Sequence, residues 1–219
     1  MSTAPIDTVS THAAASHTAI EPSILYFGTP VVLLSTENQD GSFNLAPMSS
    51  AWALGWTVVL GLGREGQTAQ NLGDRPDLVI NLPAPALWPA VERLAPLTGR
   101  NPVPAGKAAG CRYEPDKFTA AGLHAEPSHT VRPPRVTECP LQFEARAERV
   151  RPDLSGEFVV IEAVVRKVHA DPRIVVPGTD HVDPAAWSPL LYNFRHYFAL
   201  GPELGHSYRT RTPHSTPDS

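Results

Sequence analysis

NLAPMSSAWALGWTVVLGLGREGQTAQN, residues 44 to 71, decides how the chain is read. A polar loop of small residues ends at Ser49 and Ser50, an apolar strand follows from Thr57 to Leu62, and a glycine-rich turn then opens a short helix from Glu65 to Leu72. Hydroxyls and free backbone N–H groups are thereby gathered around one strand, and N–H donors at a helix start and in a turn favour an anion. A phosphorylated ligand is the expected occupant.

Gly61, Gly63 and Gly66 spell GxGxxG after a strand, the pattern of a dinucleotide-binding crossover unit. That unit needs a full crossover helix and an acid at the end of the next strand. Here the helix has about two turns, and LVINLP (residues 78–83) ends in Asn, Leu and Pro. A phosphate site in another fold is favoured, with a ligand-free glycine turn as the competing reading. Arg64 and Thr68 stand where a charged fork and a hydroxyl meet a phosphate.

Outward from this stretch, PVVLLST (30–36) reads as a buried strand. The turn residues ENQDGS and an extended segment from Phe43 complete a hairpin. Leu78–Leu82 is a further strand, and Pro85–Leu97 a helix carrying Leu87, Val91 and Leu94 on one face. Gly99 to Pro134, rich in Gly, Pro and Ala, reads as an insertion or lid outside the core, with a short helix near Asp116–Ala121. Leu141–Val150 and Glu157–His169 form a second hairpin, and PLLYNFRHYFAL (189–200) is an aromatic closing segment. Short turns between successive strands imply antiparallel pairing. The expected fold is mainly β, a closed or partly closed barrel with peripheral helices.

Residues 1–20 and 206–219 hold hardly any large apolar side chain and read as disordered or flexible tails around one domain, 21–205. The net charge of -4, with Lys and Arg scattered, excludes an electrostatic footprint for nucleic acid. No apolar run approaches the ~20 residues of a membrane span. Two cysteines and no leader-like segment point to the cytoplasm.

In order and spacing, PVVLLSTENQDGSFNLAPMSS, the QTAQN helix, LVINLP and GEFVVIEAVV resemble the flavin reductase-like family with the FMN-binding split β-barrel fold. The similarity runs from about Ile24 to Leu200. It implies a homodimer binding FMN, with FAD as the alternative, and hydride transfer from NADH or NADPH to flavin, in some members to supply a partner monooxygenase. The positions that match the family's motifs are Asn44, Pro47, Met48, Ser49 and Ser50, then Arg64, Gln67, Thr68 and Asn71. By the resemblance, residues 47–50 line the flavin ring and Arg64 and Thr68 hold the phosphate. Gln67 stands where the family often has Lys. That departure, with the long 99–134 segment, motivates an alternative: a flavin-binding carrier, sensor or interaction module without turnover.

No catalytic side chain is assigned, because hydride chemistry belongs to the flavin. His196 is the candidate for a ring contact, and Trp52 the one tryptophan placed to reach the site. Cys111, His124 and His129 lack the paired short spacings of a zinc site, and Cys139 before Pro140 reads as a buried inert thiol.

Overall fold

The structure is a computed structural model and describes residues 17–107 and 109–210. The tail readings for 1–16 and 211–219 lie outside the described residues. Seven strands form the main sheet: β1 (Val32–Glu37), β2 (Phe43–Met48), β3 (Ala51–Leu54), β4 (Thr57–Gly63), β5 (Asp77–Leu82), β6 (Leu141–Pro152) and β7 (Phe158–Ala170). Their spatial order is β2-β1-β5-β6-β7-β4-β3, antiparallel throughout.

This order dictates a barrel. β2 and β3 occupy opposite edges of the sheet, yet only Ser49 and Ser50 separate them in sequence. Three peptide steps span at most about 11 Å, whereas the six gaps of a flat seven-stranded sheet would hold the edges about 29 Å apart. The sheet must therefore curl until its edges meet. The edges do not pair, so the barrel stays split along a seam crossed by the two serines. Register shifts at Glu144/Ala145 and Ala147/Arg149 break the long β6–β7 ladder, and such bulges bend and twist a strand.

β1 shows why PVVLLST reads as an unbroken apolar run. Val32 and Leu34 point into the barrel with Leu60, Leu78, Ile80 and Ile161. Val31 and Leu33 point outward into a second core with Val91, Leu94 and Leu190. Covered on both faces, the strand needs no alternation. Asn81 of β5, fully buried, ties these layers: its Nδ2 donates to the Leu33 carbonyl (3.0 Å) and Ser35 Oγ (3.2 Å), and its Oδ1 accepts from the Val136 N–H (2.8 Å).

Helix α1 spans Gln67–Asp74, α2 Trp88–Leu94 and α3 Lys117–Ala121. The single helix expected over 85–97 is divided. A 3-10 turn at Pro85–Leu87 precedes α2, because Pro89 lacks an N–H and fits only the first helical turn. Leu97 leaves the helix and pairs with Arg112.

The reading of 99–134 as lying outside the core is corrected. Phe118, Ala121 and Leu123 are buried in the second core, and α3 packs on α2. Asp116 caps α3 by accepting from the Thr119 N–H, and Gly122 ends it in the left-handed conformation.

The closing aromatic segment folds as a hairpin, Leu191–Asn193 with His196–Phe198, and joins Phe27–Pro30. Among the described residues no helix is long and apolar enough to cross a membrane.

Candidate functional site

The seam opens into a cavity of about 480 Å³. One wall is the strand end and crossing formed by Pro47, Met48, Ser49 and Ser50; the facing wall is Gly61–Gly63 of β4 and the start of α1. Close approach is built in: a Cβ on Gly61 would sit 3.2 Å from Ser50 Cβ, while the Gly61 N–H donates to the Ser50 carbonyl at 2.9 Å. Ser49 and Thr68 are almost completely shielded from bulk water. They nevertheless line the same cavity.

Helix α1 starts beside the cavity. Its N-cap is Gly66, with no side chain capping the first turn, so N–H donors there are available to an anion. Gly66, Thr68 and Ala69 all line the wall. Asn44 lies behind Thr68, 2% exposed, and its Nδ2 donates to Thr68 Oγ1 at 3.0 Å. Thr68 therefore keeps its own hydroxyl hydrogen for an acceptor in the cavity. Among the described residues the Ser49 and Ser50 hydroxyls have no hydrogen-bond partner in the chain either.

The remaining motif residues fall elsewhere. Asn71 is fully buried and donates to Thr36 Oγ1 (3.0 Å) and Asn38 Oδ1 (2.9 Å), while its Oδ1 accepts from Gln67 Nε2 (2.7 Å). These two residues bolt α1 to the β1–β2 hairpin and do not form the cavity wall. Arg64 lines an adjoining compartment of about 720 Å³, its Nη1 donating to the Gly156 carbonyl at 3.5 Å. His196 and Trp52 are exposed and off the cavity wall.

Several wall residues escaped the sequence reading. Tyr26 and Tyr192 come from the two ends of the domain, their rings 5.6 Å apart, and Phe158 starts β7. Lys107 comes from the 99–134 segment and lines both compartments. Its one local sign is a lysine flanked by small residues, PAGKAAG (104–110). Near it, buried Lys117 is pushed down to about 8 by burial, with a further contribution from the Lys107 charge, opposed by Glu114. It is thus mainly cationic at pH 7. Among the described residues the first cavity has no acidic side chain on its wall.

A separate polar cluster fixes the 123–137 segment to the sheet. Glu144, inaccessible to solvent, accepts from the His129 N–H (2.8 Å), the Thr130 N–H and Oγ1 (both 2.5 Å), and His169 Nε2 (2.7 Å). Burial opposes its ionisation, but these donors outweigh it and hold the carboxyl at about 2. His169 is lowered, burial prevailing over its bond to Glu144. Burial also raises the Cys139 thiol far above its ordinary value, as suits an inert group. No group of three or more His, Cys, Asp or Glu is placed to hold a metal among the described residues.

Comparisons with known proteins bear on the family and the fold. The family model described as flavin reductase like domain matches residues 24–201. The uncharacterized protein YdfE of Bacillus subtilis (strain 168) is 44% identical over 195 residues, covering 88% of this chain and 94% of its own length. Among solved structures, flavoredoxin of Desulfovibrio vulgaris (Miyazaki F) superposes with a TM-score of 0.73 at 18% identity, over 89% of this chain and 98% of its own. Nitrilotriacetate monooxygenase component B from Bacillus cereus gives 0.69 at 16%, over 88% and 100%.

Proposed function

The chain belongs to the flavin reductase-like family, and from that premise we propose that its seam cavity binds the ring, ribityl and phosphate unit common to FMN and FAD, and that hydride from NADH or NADPH is delivered there. The observation that carries this reading is the convergence on one cavity of Ser49, Ser50, Thr68 and the uncapped start of α1, with Lys107 as the cation.

These residues suit the group. A planar ring needs apolar walls with a few placed donors, supplied by Pro47, Met48 and Leu62 beside the two serine hydroxyls. A phosphate needs N–H and O–H donors and a net positive charge close by. Thr68, the first turn of α1 and Lys107 meet that need. Lys107 takes the part that Gln67 leaves open. Charge-assisted hydrogen bonds contribute roughly 1.5–3 kcal/mol each, so two or three account for much of the ~8 kcal/mol of micromolar binding.

A bound flavin supplies the hydride-accepting ring. The chain supplies orientation through the seam and shielding by Tyr26, Tyr192 and Phe158 at the wall. Asn44 acts through Thr68, holding its hydroxyl in place.

The dimer implied by the family belongs to the same proposal. Leu25, Phe27, Trp52, Leu54 and Trp56 are all more than half exposed, an apolar surface of the kind that marks an interface. An apolar groove of about 770 Å³ on that side shares Tyr26, Ser50 and Phe158 with the cavity. Supply of reduced flavin to an oxygenase is supported by the likeness to a protein named as a monooxygenase component.

The test is the absorption spectrum of purified protein titrated with flavin, followed by NADH and NADPH oxidation with flavin present. Flavin spectral shifts and nicotinamide oxidation are expected. No spectral change with any flavin overturns the reading, and binding without oxidation of either nicotinamide overturns its reductase part.

A further inference from the structure

The cavity does not end at the phosphate position. Beyond it lies the compartment of about 720 Å³ bounded by the Gly63–Gly66 turn, the Gly106–Lys107 loop and the Gly156–Phe158 end of the β6–β7 hairpin. The two spaces share Gly63, Gly66, Lys107 and Phe158. They meet at Gly63, where an added Cβ would find nothing within 4 Å.

Resting on the flavin reading above, we propose that this second compartment takes the adenylate end of a dinucleotide, which makes FAD the flavin this chain prefers over FMN. Four features of the compartment fit that chemistry. Lys107 at the junction and Arg64 just beyond it provide two cations for two linked phosphates. Among the described residues neither has an ion-pair partner, and the Arg64 guanidinium makes only the long 3.5 Å contact to the Gly156 carbonyl. Gly63 and Gly156 leave open space on the wall, an added Cβ finding nothing within 4 Å at either, whereas at Gly106 it would come within 3.0 Å of Glu65 Oε2. Phe158, 49% exposed at the lip of both spaces, offers a ring face to a purine. Glu65 and Glu157, also on the wall, are acceptors for ribose hydroxyls and the purine amine. Their charges oppose those of the phosphates, and Lys107 and Arg64 offset them.

The same adenosine diphosphate chemistry belongs to the nicotinamide donor, so the experiment separates the two sources. Riboflavin, FMN and FAD are titrated into the full chain by fluorescence quenching, with 5′-ADP as competitor. FAD is expected to bind at least about tenfold more tightly than FMN, as one added charge-assisted contact allows, with 5′-ADP displacing FAD but not riboflavin. Arg64→Ala and Phe158→Ala are each expected to shrink the FAD-to-FMN ratio toward one, and far-ultraviolet circular dichroism checks that the variants fold. Equal affinity for FMN and FAD overturns this inference while leaving flavin binding intact. So does competition of 5′-ADP with NADH alone, which would assign the compartment to the hydride donor. Failure of all three flavins to bind overturns this inference together with the reading beneath it.

Discussion

Replacing Glu144 by Gln removes a buried charge while keeping the shape of the side chain. The carboxylate receives four hydrogen bonds and is held at about 2 against an ordinary 4.5. That difference corresponds to about 3 kcal/mol of folding stability. The sign follows from the direction. A carboxyl depressed in the folded state is stabilising above its unfolded value, so the contribution is complete above about pH 5 and is lost as pH falls toward 2. His169, lowered below its ordinary 6.5, acts in the same sense, because the unfolded chain takes up its proton first as pH falls. Urea unfolding of both proteins, followed by circular dichroism from pH 7 to pH 3, isolates Glu144, since the other carboxylates titrate in both. The stability gap is expected to be about 3 kcal/mol at pH 7 and to narrow to roughly 1 kcal/mol at pH 3. A gap that is absent at pH 7, or constant with pH, would refute the assignment of a buried, ionised Glu144 as the clamp on residues 129–130.

Thr68→Val should weaken FMN about tenfold, the loss of one hydrogen bond to a charged group, and riboflavin much less, because riboflavin has no phosphate; equal losses would remove Thr68 from that role. A Cβ on Gly99 would lie 2.6 Å from Asn44 Oδ1 and 3.0 Å from Gln67 Cγ. Gly99→Ala should therefore cost about 1–3 kcal/mol and loosen Thr68 through Asn44, read as a lower Tm together with weaker FMN binding; unchanged values of both would contradict the close contact. Sedimentation should give twice the 23.6 kDa chain mass, and Trp52→Asp should shift it toward monomer; a monomeric parent chain would remove the proposed apolar interface.

Much of the sheet was legible because turn chemistry and strand composition agree locally. ENQDGS between two extended runs leaves little choice but a hairpin, and β6 and β7 lie within about three residues of their expected positions. The Asn44–Asn71 stretch was legible as a site because its two halves are joined by one strand. What escaped depends on contacts far apart in sequence. Lys107 reaches the wall from a segment whose Gly, Pro and Ala content hides both the lysine and the buried Phe118, Ala121 and Leu123. Gln67 lies about 100° from Thr68 around the helix, and Asn71, only about 60° from Thr68, turns its amide to Thr36 and Asn38. Thr68 meets the cavity while the other two engage each other and the hairpin.

A strand that is apolar on both sides carries little information about its own alignment, since sliding β1 by one residue would exchange Val31 and Leu33 for Val32 and Leu34 at almost no hydrophobic cost. Asn81 supplies what those side chains cannot. Its amide is satisfied only when Leu33, Ser35 and Val136 stand opposite it, so a slipped arrangement strands a polar group in a dry interior. The asparagine works as a key in a lock, and through β1 and β2 it sets where the two serines cross the gap.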